Sequence, residues 1–472
     1  MRKESPGQNR SVREGKIMKL SSKEKLSYGI GAVGKDMVYM LTAAYILYYF
    51  QDVMGISAIF TGMLLLVARV FDALNDPVMG VIVAKTKSKF GKFRPWVLIG
   101  TLLNAVILYL MFAIPDGLSG NGLLAYAALT YIMWGVTYTM MDIPYWSMIP
   151  AFTTDGKERE SLSTLGRTCA GVGSAIVTVA TVPMVELLGG GSEKEGFRLF
   201  ALIVAVLFAL TAVLMCVCIK EKSTVDMETT SVGEMFRALF RNDQAVAVVV
   251  AIVLINCSIY LTSNLVIYFF KYDIGGEGWK GAYTLFNTFG GAMQILSMMI
   301  IYPLLRKMFS TTTTFKVGLL SAILGYVILL VLACTNMKNV YLLLVPGFFI
   351  FAANGILTVL TTVFLANTVD YGQWKNGRRD ESVIFSMQTF VVKLASGVSA
   401  LLASICLAVF NISDNTEVEA ALSAQSVLGL RFTMALVPVF GLVIAFFYFS
   451  KKFILTDEKV AEIADSLKGK ES

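Results

Sequence analysis

Asp72, Asn75 and Asp76 stand in the run Arg69-Val-Phe-Asp72-Ala-Leu-Asn75-Asp76-Pro77, inside an apolar stretch long enough to cross a membrane. On a helix, residues three and four apart share a face, so these three oxygen-bearing side chains project toward a common point. A charge at bilayer depth costs about 2.5–3.5 kcal/mol on insertion scales. Two carboxylates with one Arg, Arg69, close by are therefore expected to hold a monovalent cation or a proton; the alternative is a structural ion pair with Arg69, which neutralises only one of them. Hard cations such as Na⁺ take oxygen ligands, and Thr139 from a second apolar run is a candidate to supply another.

That second run holds Tyr138, Asp142 and Trp146, which step by four along one helix face, with Thr139 turned about 60° from Asp142. One helix can thus present two adjoining surfaces. A carboxylate accepts two sugar hydroxyls at once, and an indole ring covers the apolar face of a pyranose. The alternative is that Asp142 pairs with Arg167 to hold two helices together while Trp146 packs in the core. Asp36 is a further binding candidate, whereas the adjacent Lys35 projects about 100° away and is expected to share no target with it. Near the C-terminus, Gln388, Thr389 and Lys393 lie together, with Thr389 and Lys393 four apart. Lys393 can serve as a gating salt bridge to carboxylates of the first half or as a sugar contact.

These residues sit in a chain of 472 residues that is 56% hydrophobic and 15% charged, with mean hydropathy +0.68. Such values belong to polytopic membrane proteins. There is no histidine, which excludes Ser-His-Asp triads, HExxH zinc sites and imidazole relays and leaves carboxylates to handle protons and cations. The six cysteines show no CxxC spacing and read as small hydrophobes. The net charge of +7 comes from basic residues in short segments between apolar runs, a topology signal rather than a nucleic-acid surface.

Apolar runs of about 20 residues recur at 28–50, 57–84, 93–114, 123–151, 164–188, 197–219, 244–271, 281–305, 315–334, 340–369, 383–410 and 427–450. They predict an all-α polytopic membrane protein with twelve transmembrane helices in two six-helix bundles. Lys85 to Arg94 carries five basic residues and no acid, and Arg306-Lys307 and Lys451-Lys452 follow even-numbered spans, whereas the loops at Pro115–Gly122, Gly189–Gly196 and Ser413–Glu419 are acidic or neutral. By Lys/Arg bias both termini face the cytoplasm, in a plasma (inner) membrane. The expected organisation is a tail at 1–25, with no cleavable signal, a bundle at 26–219, a middle loop at 220–243, a second bundle at 244–453 and a tail at 454–472. In the loop, Ser231 and Glu234 have capping-box spacing before Phe236, Leu239 and Phe240, which predicts a short interfacial helix. Asp457 to Lys468 predicts another surface helix, and Asp370 to Glu381 a mixed-charge loop.

Gly34-Lys35-Asp36, Arg69 to Pro77, Gly91-Lys-Phe-Arg-Pro-Trp96, Tyr138 to Pro150, Asp370-Tyr-Gly-Gln-Trp374 and Gln388-Thr389 with Lys393 follow one another in the chain. In that order they resemble the glycoside-pentoside-hexuronide:cation symporters of the major facilitator superfamily, from about residue 23 to about 455. The resemblance implies a cation site at Asp72, Asn75, Asp76 and Thr139. It also implies a sugar site at Asp36, Tyr138, Asp142, Trp146, Arg167, Gln388, Thr389 and Lys393, for a galactoside such as melibiose. The coupling ion would be Na⁺, Li⁺ or H⁺, with no other cofactor, and the phosphotransferase-like domain that some relatives append is not expected. Other readings are a symporter for another glycoside, pentoside or hexuronide, and a sugar sensor that has lost transport. Asn75-Asp76 also resembles the start of a Mg-diphosphate motif of polytopic prenyltransferases, but a second acidic motif is missing, so no enzyme is expected.

Overall fold

The structure, a computed structural model, describes residues 20–152, 156–219, 221, 232–276, 278–335, 338–377, 381–412 and 423–471. The first half comprises α1 (Ser22–Tyr48), α2 (Ala58–Lys85), α3 (Arg94–Phe112), α4 (Gly120–Ser147), the short α5 (Ile149–Phe152), α6 (Gly156–Gly189) and α7 (Glu193–Cys218). A connecting helix, α8 (Val232–Arg241), leads to α9 (Asp243–Tyr268), α10 (Trp279–Leu296), the short α11 (Tyr302–Met308) and α12 (Thr311–Cys334). The chain continues through α13 (Val340–Asn376), α14 (Glu381–Val409), α15 (Ala424–Lys452) and α16 (Asp457–Glu471). Among the described residues, twelve helices are long and apolar enough to cross a bilayer, and no strand occurs.

Two bundles result. α1 packs on α6 and α7, and α3 on α4 and α7; in the second half α9 packs on α14 and α15, and α12 on α13 and α15. The broadest contact between the bundles is α2 against α14. It is close because Gly62 and Gly397 lack side chains: a Cβ on Gly397 would stand 3.0 Å from the Arg69 Cβ, and one on Gly62 would stand 2.6 Å from that of Ser404. Exposed Leu, Ile, Val and Phe cover the outer faces of the spans, as lipid-facing helices require.

The spans start and stop for local reasons. α1 begins before the apolar run, because Ser21 and Glu24 form a complete capping box. The Gly91-Lys-Phe-Arg94 segment turns through Gly91 at φ 104°. The Glu221 carboxylate then accepts the Lys92, Phe93 and Arg94 N–H groups at 2.7, 3.0 and 2.9 Å, satisfying the start of α3. Asp370 to Asn376, expected as loop, instead continues α13, which stops at Gly377 in the left-handed region. Tyr371 and Lys375 both reach Asp243 at the start of α9, at 3.2 and 2.6 Å, and so hold the extra turns in place.

α8 lies where the interfacial helix was expected. Leu239 is buried, Phe236 packs edge-on against Phe390 of α14, and Phe240 is 73% exposed. Ser231 of the expected capping box, the 1–19 tail, Arg378 to Asp380 and the acidic 413–419 segment lie outside the described residues. α16 docks beneath the second bundle through Ile463, with Asp457 accepting the Thr311 N–H that opens α12. All six cysteines are free thiols.

Candidate functional site

Two charged clusters meet on α4. The first surrounds Lys35, which is 4% exposed. Its ammonium donates to Asp142 Oδ1 at 2.7 Å and to the Tyr138 hydroxyl at 3.0 Å, and lies 3.3 Å from Asp36 Oδ2. It also stands 5.3, 5.4 and 5.8 Å from the ring centres of Trp146, Tyr138 and Tyr145, within cation–π range. The Arg167 guanidinium lies 5.5 Å from the Trp146 ring. Tyr145 is fixed behind by stacking on Tyr28 at 4.6 Å and by donating to the Tyr28 carbonyl at 2.9 Å. Pro144, between Asp142 and Trp146, has no N–H to give to the preceding turn.

The geometry corrects two expectations. Lys35 and Asp36 do share a target region, because the four-carbon lysine stem swings its ammonium back past the 100° that separates the two Cβ directions. Asp142 takes its ion pair from Lys35, in place of the Arg167 pairing considered as an alternative. Lys35 is the site residue that sequence reasoning left out. The signal that could have found it was a lysine within an apolar span, where an ionisable group needs a partner.

The second cluster lies on the α2 side of α4. Thr139 Oγ1 donates to Asp76 Oδ1 at 3.0 Å, and Arg69 Nη1 to Asp72 Oδ2 at 3.4 Å. Lys393, from α14 in the opposite bundle, donates to Asp76 Oδ2. The idea that only one fixed cation serves the two carboxylates is therefore corrected: Arg69 holds Asp72 and Lys393 holds Asp76. Asp72 Oδ1 comes so near α4 that a Cβ on Gly135 would stand 2.4 Å from it. Asn75 is half-buried on α2, one residue before Asp76. On α14, Gln388 is half-buried and Thr389 exposed, just over one turn before Lys393. Asp142 also lies within electrostatic reach of Lys393, so the two clusters are near neighbours.

The donor set on the α2 side is all oxygen, and among the described residues no group of three or more His, Cys, Asp or Glu could hold a metal ion. Two carboxylates and a hydroxyl, Asp72, Asp76 and Thr139, are oxygen groups of the kind that hard cations take. Four acids, Asp36, Asp72, Asp76 and Asp142, stand among four fixed cations, Lys35, Arg69, Arg167 and Lys393, so this pair of clusters is charge-balanced.

A twelve-span, two-bundle molecule of this topology has the major facilitator fold. Residues 27–454 match the MFS/sugar transport protein family, and the chain belongs to it. It is 30% identical to the uncharacterized symporter YjmB of Bacillus subtilis, over 95% of this chain and 96% of that one. It is 29% identical to the raffinose carrier protein of Pediococcus pentosaceus, over 94% of this chain and 71% of that one. In fold it is similar to a bacterial homolog of the human lysosomal transporter Spinster, with TM-score 0.66 at 13% identity over 91% of this chain and 96% of that one. The protein is a sugar transporter of this family, embedded in the membrane, and not an enzyme.

Proposed function

We propose that the protein couples the inward flow of one monovalent cation, Na⁺, Li⁺ or H⁺, to uptake of a neutral galactoside by alternating access. The cation is assigned to Asp72, Asn75, Asp76 and Thr139. The sugar is assigned to Asp36, Tyr138, Asp142, Trp146, Arg167, Gln388, Thr389 and Lys393, with Lys35 added from the geometry. The observation that carries this reading is the pairing on α4: Thr139 donates to Asp76 while Asp142, three residues on, accepts from Lys35. One turn of helix thus touches both clusters.

Lys393 supplies the link. A cation entering between Asp72 and Asp76 takes over the Asp76 oxygen that the Lys393 ammonium holds. The freed ammonium, already within the field of Asp142, turns to donate to a sugar hydroxyl. The two roles weighed for Lys393 then become successive positions of one side chain.

The balanced pair of clusters favours an uncharged sugar. A hexuronide would bring a further charged group that must be desolvated on entry, whereas a neutral sugar brings none. Sugar hydroxyls instead donate to Asp36 and Asp142 and accept from Arg167, with Trp146 over the ring face. The α-galactosyl preference draws on the family resemblance and on the relative named for raffinose, itself an α-galactoside. Lys85 to Arg94, Arg306-Lys307 and Lys451-Lys452 lie at the end that carries α8 and α16, which supports cytoplasmic termini in the plasma membrane.

Uptake of labelled melibiose into vesicles, with and without each cation, tests the reading. Stimulation by at least one cation is expected, with the stimulation lost in Asp76→Asn. No uptake under any cation, with sugar still bound, would favour a sensor; stronger competition by a glucuronide than by melibiose or lactose would overturn the substrate class.

A further inference from the structure

Spans 1 and 7 end in the same unusual way. α1 and α9 each run into a π-helical turn, Tyr49–Val53 and Phe269–Ile274. Each turn is followed by a glycine at positive φ, Gly55 at 66° and Gly275 at 62°. The residues at the junction also repeat, Tyr48-Tyr-Phe50 against Tyr268-Phe-Phe270. A π-turn rotates the side chains that follow it, and such turns concentrate at functional positions.

Here the two turns face each other across the bundle boundary, at the end remote from α8 and α16. Lys271 donates to the Asp52 carboxylate, and also to the Tyr48 hydroxyl at 2.9 Å. The Tyr272 hydroxyl donates to the other Asp52 oxygen. Tyr48 in turn donates to Glu193 at the start of α7, at 2.6 Å. Beneath them Tyr268 donates to Gln51 Oε1 at 3.1 Å, and Gln51 Nε2 donates to Ser404 Oγ at 3.0 Å. The Asp52 side chain is 2% exposed. Asp273, in the other turn, is instead forked by Arg431 of its own bundle at 2.5 and 2.6 Å. Of these two acids, Asp52 crosses the boundary and Asp273 does not.

We propose that Asp52 and Lys271 form a charged latch that holds the bundles together at this end and must part before the central cavity opens there. Lys35 and Asp36 lie on the same helix as the run that ends in Asp52, about 25 Å away at 1.5 Å per residue. A change of tilt in α1 on sugar binding would therefore act on the latch directly. A buried ion pair suits a two-position element, because it is stable when closed and its members are rehydrated, not abandoned, when the cavity opens. The inference goes beyond the symport reading, and its test uses neither sugar nor cation.

Ser404 is fully buried under the latch. In the purified full chain, Ser404→Cys serves as the parent, and its alkylation by a maleimide is measured after subtracting, for each variant, the labelling of the six native thiols in the same variant with Ser404. Asp52→Asn and Lys271→Met are expected to speed alkylation at position 404 by at least about tenfold, since each leaves one member of a buried pair alone. Asp52→Glu, and the exchange Asp52→Lys with Lys271→Asp, are expected to return the rate toward that of the parent. Tyr272→Phe changes no charge and removes one hydrogen bond, for an expected rise of about threefold, and it stands in should the charge variants not fold. Parental rates in the single variants or in Tyr272→Phe, or an exchange variant as fast as the singles, would overturn the latch.

Discussion

Lys393 lies at the centre of the proposed coupling because its ammonium occupies an oxygen that the cation would need. Replacing it removes a competitor and a sugar contact together. Lys393→Met is therefore expected to leave cation binding intact or tighter, since Asp76 keeps its Thr139 hydrogen bond. Sugar affinity in the same variant should become less sensitive to the cation, with the link through α4 remaining. Binding titrations on the purified variant check both, and cation dependence of sugar affinity equal to the parent's would remove Lys393 from the coupling. At this scale the sequence was informative about types and faces, and less so about partners. Asp72, Asp76, Asp142 and Trp146 could be picked out because polar residues at helical spacing stand out in an apolar span. Lys35 could not be placed, since a long flexible side chain is poorly described by the direction of its Cβ. Lys393 on Asp76 joins residues 317 apart in the chain, and helical spacing carries no information across that distance.

At the scale of the element, α4 depends on Gly135 as much as on its polar residues. A methyl group at that position would meet Asp72 Oδ1 at 2.4 Å, so the carboxylate or the helix must move. Overpacking costs about 1–3 kcal/mol, and Gly135→Ala is expected to weaken cation binding roughly 10- to 100-fold. Sugar binding without cation should change little, because the Lys35–Asp142 cluster lies elsewhere on the helix; titration with cation alone and sugar alone separates the two.

α16 makes a pH-dependent attachment. Partial burial pushes the Asp457 carboxyl up, but the hydrogen bonds from Thr311 and the charge of Arg306 outweigh it and hold it below the usual carboxylate range. A depressed native pKa stabilises the docked helix above the unfolded carboxylate's value, and that contribution is lost as pH falls through the native one. Proteolysis of α16 should therefore accelerate only in acid for the parent chain, and already at neutral pH for Asp457→Asn. Helix ends were the least legible feature of the elements. Hydropathy stops at residue 369, yet α13 continues to Asn376 because Tyr371 and Lys375 find Asp243, a contact outside the local sequence.

For the whole molecule, the twelve spans were legible because bilayer thickness imposes one length on every span. The basic loops also pointed to the common end that α8 and α16 occupy. Which contacts cross the boundary between the bundles was not legible, since Asp52 and Lys271 are 219 residues apart in the chain. Balanced fixed charges mean that one cation travelling with a neutral sugar carries one net charge. A tenfold gradient contributes about 1.4 kcal/mol and 100 mV about 2.3 kcal/mol, together enough for about 500-fold accumulation.

The central claim is that two sites on one turn of α4 share a free energy of coupling, and coupling between bound ligands is reciprocal. Calorimetric titration of the purified protein with melibiose, at zero and at saturating Na⁺, Li⁺ or H⁺, tests it most directly, together with the cation titration at zero and saturating melibiose. The account predicts that for at least one cation the sugar tightens by a factor of about 5–150, and that the cation tightens by the same factor when sugar is bound. Sugar affinity unchanged by all three cations would contradict it.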